Sequence, residues 1–136
     1  MQRLRLPHEI VVPASIANLG PGLDTLGLAV GLYLRVRVTA VVADGRGRLA
    51  CRFADGPLGG PNRIAEGFAA LGPLGRRAPS LEVDVRSEIP LRGGLGSSAA
   101  ATIAGLRLRE RVDGRRPEDE ILAAACGVEG HPDNAA

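Results

Sequence analysis

The stretch from Gly93 to Ser98 reads Gly-Gly-Leu-Gly-Ser-Ser and combines residue types that can bind a phosphate group. Glycine lets the backbone approach a ligand and turn its N–H groups toward it. The apolar run that follows predicts a helix to about Arg111, whose first turn would offer unpaired N–H groups and a partial positive charge. Two serine hydroxyls can bind a phosphate oxygen or a magnesium ion. The stretch predicts an anion-binding loop, with a plain glycine turn and serine cap as the alternative.

The composition limits how such a loop could hold phosphate. All seventeen basic residues are arginine, so no lysine is available for a P-loop. The dinucleotide fingerprint G-x-G-x-x-A is matched by Gly94, Gly96 and Ala99, but it needs an acid at the end of the next strand. The positions about twenty residues on, 117–120, predict a helix start instead. Backbone N–H groups, a helix N-terminus, arginine or a metal ion would then have to bind the phosphate.

A second cluster surrounds Gly20-Pro21-Gly22, where two glycines and a proline predict a tight, irregular loop. Asn18 and Asp24 flank this loop. An amide and a carboxylate on a rigid loop could hold a small polar substrate. A plain turn uses the same residue types, so the cluster alone favours the plain turn.

A third cluster lies at the end of the chain. Glu129, His131, Asp133 and Asn134 place four polar functional groups within six residues. They offer a carboxylate for a metal ion, an imidazole and two further hydrogen-bonding groups. A helix end followed by a proline turn would explain the glycine and proline between them, but not the density of acids and amides. Because the sequence stops two residues later, we expect the chain to be the truncated first part of a longer protein.

Charge and composition argue against two classes of partner. The net charge is only +2, the arginines are spread along the chain, and three aromatic residues provide no platform on which bases could stack. No stretch approaches the roughly 20 apolar residues of a membrane span, and the N-terminus lacks the apolar core of a signal peptide. We therefore expect no nucleic-acid partner, no membrane association and a cytoplasmic location.

The two cysteines, Cys51 and Cys126, are too few for a disulfide framework or a cysteine-based zinc site. Buried, reduced thiols are the prediction for a cytosolic protein. A nucleophile pair formed by Cys126 and His131 is the alternative, but no other residue supports it.

Hydrophobic patterns predict the elements that would position these clusters. The predicted strands are 8–14, 26–42, 49–53 and 81–86, and the predicted helices are 63–71, 99–111 and 117–126. Asn62 would cap the first helix, three acids after Pro117 would start the last, and Gly127 would end it. The turn at 44–47 predicts a hairpin over 32–53. Strands first and helices later predict an α+β fold.

Three segments resemble conserved motifs of homoserine kinases, which belong to the GHMP kinase superfamily. They are Val12–Asp24, Pro90–Ala100 and Glu129–Asn134. The second motif is shared across the superfamily, whereas the first and last are typical of homoserine kinases. Ile16 and Leu23 depart from the usual residues, but these are packing changes that remove no functional group.

The resemblance implies a fold and a reaction. Residues 1–136 would form the ATP-binding N-terminal domain, an α+β fold like domain 2 of ribosomal protein S5. Family members carry a ferredoxin-like C-terminal domain after it, which is absent from this sequence, as is the third superfamily motif. The implied reaction moves the γ-phosphate of ATP to the side-chain hydroxyl of L-homoserine and gives O-phospho-L-homoserine, a step of threonine biosynthesis.

The resemblance also implies residue roles. The ATP phosphates would lie against Pro90, Leu91, Arg92, Gly93, Gly94, Leu95, Gly96, Ser97, Ser98 and Ala99. Ser98 and Glu129 would coordinate Mg²⁺. L-Homoserine would be surrounded by Asn18, Asp24, His131, Asp133 and Asn134, with Asp133 and Asn134 as the catalytic candidates. None of these stands out as a general base, and phosphoryl transfer relies mainly on positioning and charge stabilisation.

Two other functions remain open on the sequence alone. The chain could belong to another GHMP kinase that acts on a different small alcohol, or it could be a nucleotide-binding fragment without activity. Apolar surface that a C-terminal domain would cover could also pair two copies as a homodimer.

Overall fold

The computed structural model describes residues 8–17, 27–56 and 60–130 of the 136-residue chain. In chain order the elements are β1 (His8–Ala17), β2 (Gly27–Val42), β3 (Leu49–Phe53), α1 (Arg63–Ala69), β4 (Ser80–Ser87), α2 (Ser97–Asp113) and α3 (Glu118–Glu129). The predicted α+β class is confirmed.

The four strands form one sheet in the order β1-β2-β4-β3. β2 pairs antiparallel with both β1 and β4, whereas β3 pairs parallel with β4. The predicted hairpin over 32–53 is therefore wrong, because β4 lies between β2 and β3. A parallel pair needs a long crossover connection, and the segment that contains α1 supplies it. Arg52 of β3 reaches Asp84 of β4 through two hydrogen bonds of 2.7 and 3.0 Å.

One face of the sheet carries the core. Leu34, Val36 and Val38 of β2 are buried, whereas Arg35 and Arg37 between them are exposed. This alternation follows from the two-residue period of a strand. α1 and α2 cover the apolar face, and the core that they close is almost entirely aliphatic.

α1 and α2 touch at two glycines. A β-carbon at Gly105 of α2 would overlap the carbonyl oxygen of Ile64, and a β-carbon at Gly67 of α1 would overlap that of Thr102. The two backbones can approach this closely only because neither position has a side chain.

A buried arginine stabilises the end of α1. Arg109 of α2 is 2% exposed, and its guanidinium donates to the carbonyl oxygens of Phe68, Gly72 and Pro73 at 2.9–3.3 Å. It also donates to Asp113 at 2.8 Å. Phe68 lies in the last turn of α1, where carbonyl groups lack helical partners, and Gly72 and Pro73 follow the helix. We therefore assign Arg109 a structural role.

α3 packs on α2 and is longer than the sequence predicts. It begins after Pro117 with three acids in its first turn, as predicted. Gly127 does not end it, because the helix continues to Glu129 and stops at Gly130, which has a φ of 82°. A left-handed glycine is the usual helix terminator, whereas Gly127 keeps a helical conformation. The additional turn makes Glu129 a helical residue.

Candidate functional site

The loop before α2 has an unusual backbone. Arg92, Gly94 and Gly96 have φ values of 60°, 69° and 71°, whereas Gly93 and Leu95 between them do not have positive φ. Arg92 is the one non-glycine residue with positive φ in the part of the chain that the structure describes. Alternation of this kind turns successive N–H groups toward the same side and creates a concave surface for an anion.

The start of α2 extends this surface. Gly96 is the N-cap and has no side chain that could bond to the first N–H groups of the helix. The first helical hydrogen bond runs from the N–H of Ala100 to the carbonyl of Gly96, at 2.9 Å. The N–H groups of Ser97, Ser98 and Ala99 precede this bond and lie at the positive end of the helix dipole. The loop and helix together can therefore accept a phosphate group.

β1 is joined to the same loop. The N–H of Ser15 donates to the carbonyl oxygen of Leu95 at 2.9 Å. The C-terminal end of β1 therefore lies beside the glycine loop. Asn18 and Asp24, the candidate substrate residues that follow β1 in sequence, lie outside the described residues.

Ser98 and Glu129, the two predicted magnesium ligands, are in contact although they are 31 residues apart. The Ser98 hydroxyl donates to Glu129 Oε1 at 2.9 Å. Both side chains are half-buried, and no arginine of the described segments forms an ion pair with Glu129. A carboxylate and a hydroxyl in contact at the start of α2, beside a loop whose backbone could accept an anion, suit a hard cation such as Mg²⁺. The residues present therefore fit this ion.

The sequence patterns do not predict one residue of this candidate site. Thr102 is fully buried, and its Oγ1 lies 2.6 Å from Glu129 Oε1. Its only sequence signal is its position four residues after Ser98, which places both on one face of α2. A threonine inside an apolar helix is otherwise indistinguishable from a core residue.

The third sequence cluster also contains three predicted substrate-binding residues. His131, Asp133 and Asn134 lie outside the described residues. Within the described ranges, no group of three or more His, Cys, Asp or Glu residues is arranged to hold a metal ion. Any cation at Ser98 and Glu129 would thus need further ligands from phosphate oxygens, water or other parts of the protein.

Both cysteines are free thiols. Burial raises the pKa of Cys51, which keeps it protonated at neutral pH and makes it a poor nucleophile. Among the helices that the structure describes, none is both long and apolar enough to cross a membrane.

Comparison with known proteins defines the class. The family of GHMP kinase N-terminal domains matches residues 62–136, a range that includes the glycine loop, Thr102 and Glu129. The chain therefore belongs to the GHMP kinase family.

Individual relatives belong to a narrower class than the family model, since they are homoserine kinases. Over 135 residues the chain is 40% identical to a homoserine kinase of Thermus thermophilus, a match that covers 94% of this chain and 44% of the relative. It is 42% identical to the homoserine kinase of Deinococcus radiodurans, over 96% of this chain and 43% of the relative. A solved structure of a provisionally assigned homoserine kinase from Listeria monocytogenes superposes with a TM-score of 0.77 at 37% identity, over 94% of this chain and 45% of that one. The chain thus spans somewhat less than half the length of these proteins.

Proposed function

We propose that this chain is the nucleotide-binding part of an ATP-dependent kinase that phosphorylates the side-chain hydroxyl of L-homoserine. The observation that carries the proposal is the contact between Ser98 and Glu129 at the end of the alternating glycine loop. This contact places a candidate cation site beside a surface that can bind an anion. A nucleoside triphosphate with its metal ion requires both. The relatives named above favour homoserine as the acceptor.

The loop would bind ATP through its backbone. N–H groups of Gly93–Gly96 and of the first turn of α2 would donate to the phosphate oxygens. Since the chain has no lysine, these dipoles and the neighbouring arginine, Arg92, would supply the positive potential. Arg92 is exposed and keeps a strained left-handed backbone, which is a common feature of functional sites.

Ser98 and Glu129 would hold Mg²⁺ through the serine hydroxyl and a carboxylate oxygen. When bound, the ion would offset negative charge on the transferring phosphoryl group. The chain itself would fix these two side chains, because α2 and α3 pack against each other through Leu106, Ile121 and Ala125.

The acceptor would be held by residues of the second and third sequence clusters. In this proposal Asp24 suits the ammonium group of homoserine, His131 its carboxylate, and Asn18, Asp133 and Asn134 its remaining polar atoms. Asp133 and Asn134 would orient the hydroxyl for transfer. Positioning and charge stabilisation supply most of the rate in phosphoryl transfer, so the proposal assigns no general base.

The test is release of ADP from ATP and Mg²⁺ in the presence of L-homoserine, beside a panel of other small alcohols, using the protein as its gene encodes it. Turnover specific to homoserine is the expected result, with a homodimer and a cytoplasmic location as further expectations. Preference for another alcohol would favour a different GHMP kinase. Nucleotide binding without turnover of any acceptor would favour a non-catalytic nucleotide-binding module. In the kinase, Asp133→Asn should reduce homoserine use far more than ATP binding, and equal loss of both would contradict its role.

A further inference from the structure

Thr102 is a buried polar residue in an otherwise apolar part of α2. It has no exposed surface, and its neighbours on the buried side of the helix include Ala99 and Leu106. A buried hydroxyl without a partner is costly, so the partners of Thr102 indicate why a threonine is present rather than a valine of the same shape.

The hydroxyl has two acceptors within reach. Oγ1 lies 3.1 Å from the carbonyl oxygen of Ser98, one helical turn earlier, and 2.6 Å from Glu129 Oε1. A hydroxyl has one proton, and the shorter contact to a charged acceptor is the stronger hydrogen bond. We therefore assign the proton of Thr102 to Glu129.

The two oxygens of Glu129 are not equivalent. Oε1 accepts from both Ser98 and Thr102, at 2.9 and 2.6 Å. No residue of the described segments bonds to Oε2. Ser98 and Thr102 lie one turn apart on α2 and so fix the carboxylate from the same side.

The backbone of Thr102 is itself held in place. Its carbonyl oxygen lies where a β-carbon of Gly67 would be, so α1 packs directly against this residue. The close contact of α1 with α2 therefore limits how far Thr102 can move. The hydrogen bond from its hydroxyl in turn limits movement of the Glu129 carboxylate on α3.

We propose that Thr102 is a positioning residue that holds the Glu129 carboxylate with Oε1 turned toward α2 and Oε2 left available to a divalent cation. This inference rests on the proposed function, because the cation is the one that would accompany the nucleotide. Thr102 would not touch the cation or the nucleotide, and would act through Glu129.

The test uses Mn²⁺ as a spectroscopic probe of the cation site in the protein as its gene encodes it. Thr102→Val removes the hydroxyl and keeps the shape, whereas Thr102→Ser keeps the hydroxyl and removes a methyl group. Binding of Mn²⁺ is measured by electron paramagnetic resonance with ADP present, and ADP affinity is measured separately in EDTA. Loss of a group that orients a metal ligand commonly weakens metal binding about 10- to 100-fold.

The expected result is that Thr102→Val weakens Mn²⁺ binding about tenfold or more, leaves ADP affinity in EDTA unchanged and is rescued by Thr102→Ser to within about twofold of the wild type. Equal Mn²⁺ affinity in the valine variant and the wild type would overturn the proposal. So would a serine variant as weak as the valine variant, since packing rather than the hydroxyl would then matter. If Thr102→Val does not fold, Thr102→Ala takes its place against the same serine control.

A different result of the same experiment would contradict the proposed function. It fails if the wild-type protein binds neither ADP nor Mn²⁺, and the role of Thr102 then falls with it. If the wild type binds both and the valine variant does too, only the inference about Thr102 is lost.

Discussion

Two glycine-rich regions of this molecule use the residue for different reasons. At the contact of α1 with α2, Gly67 and Gly105 have ordinary helical backbone, and a β-carbon at either position would overlap a carbonyl oxygen. In the loop before α2, a β-carbon on Gly94 would meet nothing within 4 Å, but the backbone has a φ of 69°. The first region needs glycine for space, and the second needs it for conformation. Substitutions in the first should therefore affect stability, and substitutions in the second should affect ligand binding.

The largest effect is expected at the helix contact. Gly105→Ala would force α1 and α2 apart, because its β-carbon would meet the backbone at Ile64 and Phe68. We expect the free energy of unfolding to fall by about 3 kcal/mol, at the upper end of the usual cost of overpacking. Urea denaturation followed by circular dichroism measures it. A loss under about 1 kcal/mol would mean that the helices can separate without cost, which contradicts the spatial role of this glycine.

The next effect is expected at the proposed cation site and concerns the affinity for ATP. Ser98→Ala removes the hydroxyl that contacts Glu129. We expect the affinity for ATP in Mg²⁺ to fall about tenfold or more, with little change in EDTA, because the lost group acts through the metal ion. Isothermal titration calorimetry under both conditions measures it. A similar loss in EDTA would show that the serine acts on the nucleotide directly, and the assignment to the metal would be wrong.

A smaller effect on stability is expected in the loop. Gly94→Ala meets no steric obstacle, but alanine in the left-handed region costs about 1 kcal/mol. We expect that loss of unfolding free energy together with several-fold weaker ATP binding, as the strained loop shifts its N–H groups. Stability and ATP affinity are measured on the same preparation. Unchanged ATP affinity alongside the stability loss would show that the loop is not part of the ATP-binding site.

The smallest effect is expected at Gly127 and has the opposite sign. This glycine lies inside α3 with helical φ, and a β-carbon there would meet open space. Gly127→Ala should raise the unfolding free energy by about 0.5–1 kcal/mol, because alanine loses less backbone entropy in a helix. It is the matched control for Gly105→Ala, since both are glycine-to-alanine changes within a helix. A destabilised Gly127→Ala would mean that α3 packs against a surface outside the described residues.

Local signals in the sequence predict most of the elements. Asn62 caps α1 as predicted, since its side chain accepts from the N–H of Ala65 at 3.1 Å. The alternating residues of β2 and β4 form strands in which the apolar side is buried, as predicted. β1 continues three residues beyond the predicted Ala14, to Ala17. These features depend on residues that are close together in the sequence, so local sequence patterns predict them.

Long-range pairing cannot be read in the same way. The turn at 44–47 favours pairing of β2 with β3, but β4, which begins almost thirty residues after the end of β3, lies between them and pairs with both. The prediction that Gly127 ends α3 is wrong, because a glycine within a helix and a glycine that ends one look alike until the backbone conformation is known. Of the site, the loop, Ser98 and Glu129 are expected from motif resemblance. The sequence does not predict Thr102, because its hydrogen bond to Glu129 depends on contact between α2 and α3.

The measurement that tests the central claim most directly is amide hydrogen exchange, followed by mass spectrometry, with and without ATP and Mg²⁺. We predict slower exchange at residues 93–99 when both are present, and little change where α1 packs closely against α2 at Gly67 and Gly105. Protection that is absent from 93–99, or that appears only at the helix contact, would contradict the assignment of the glycine loop as the phosphate-binding site.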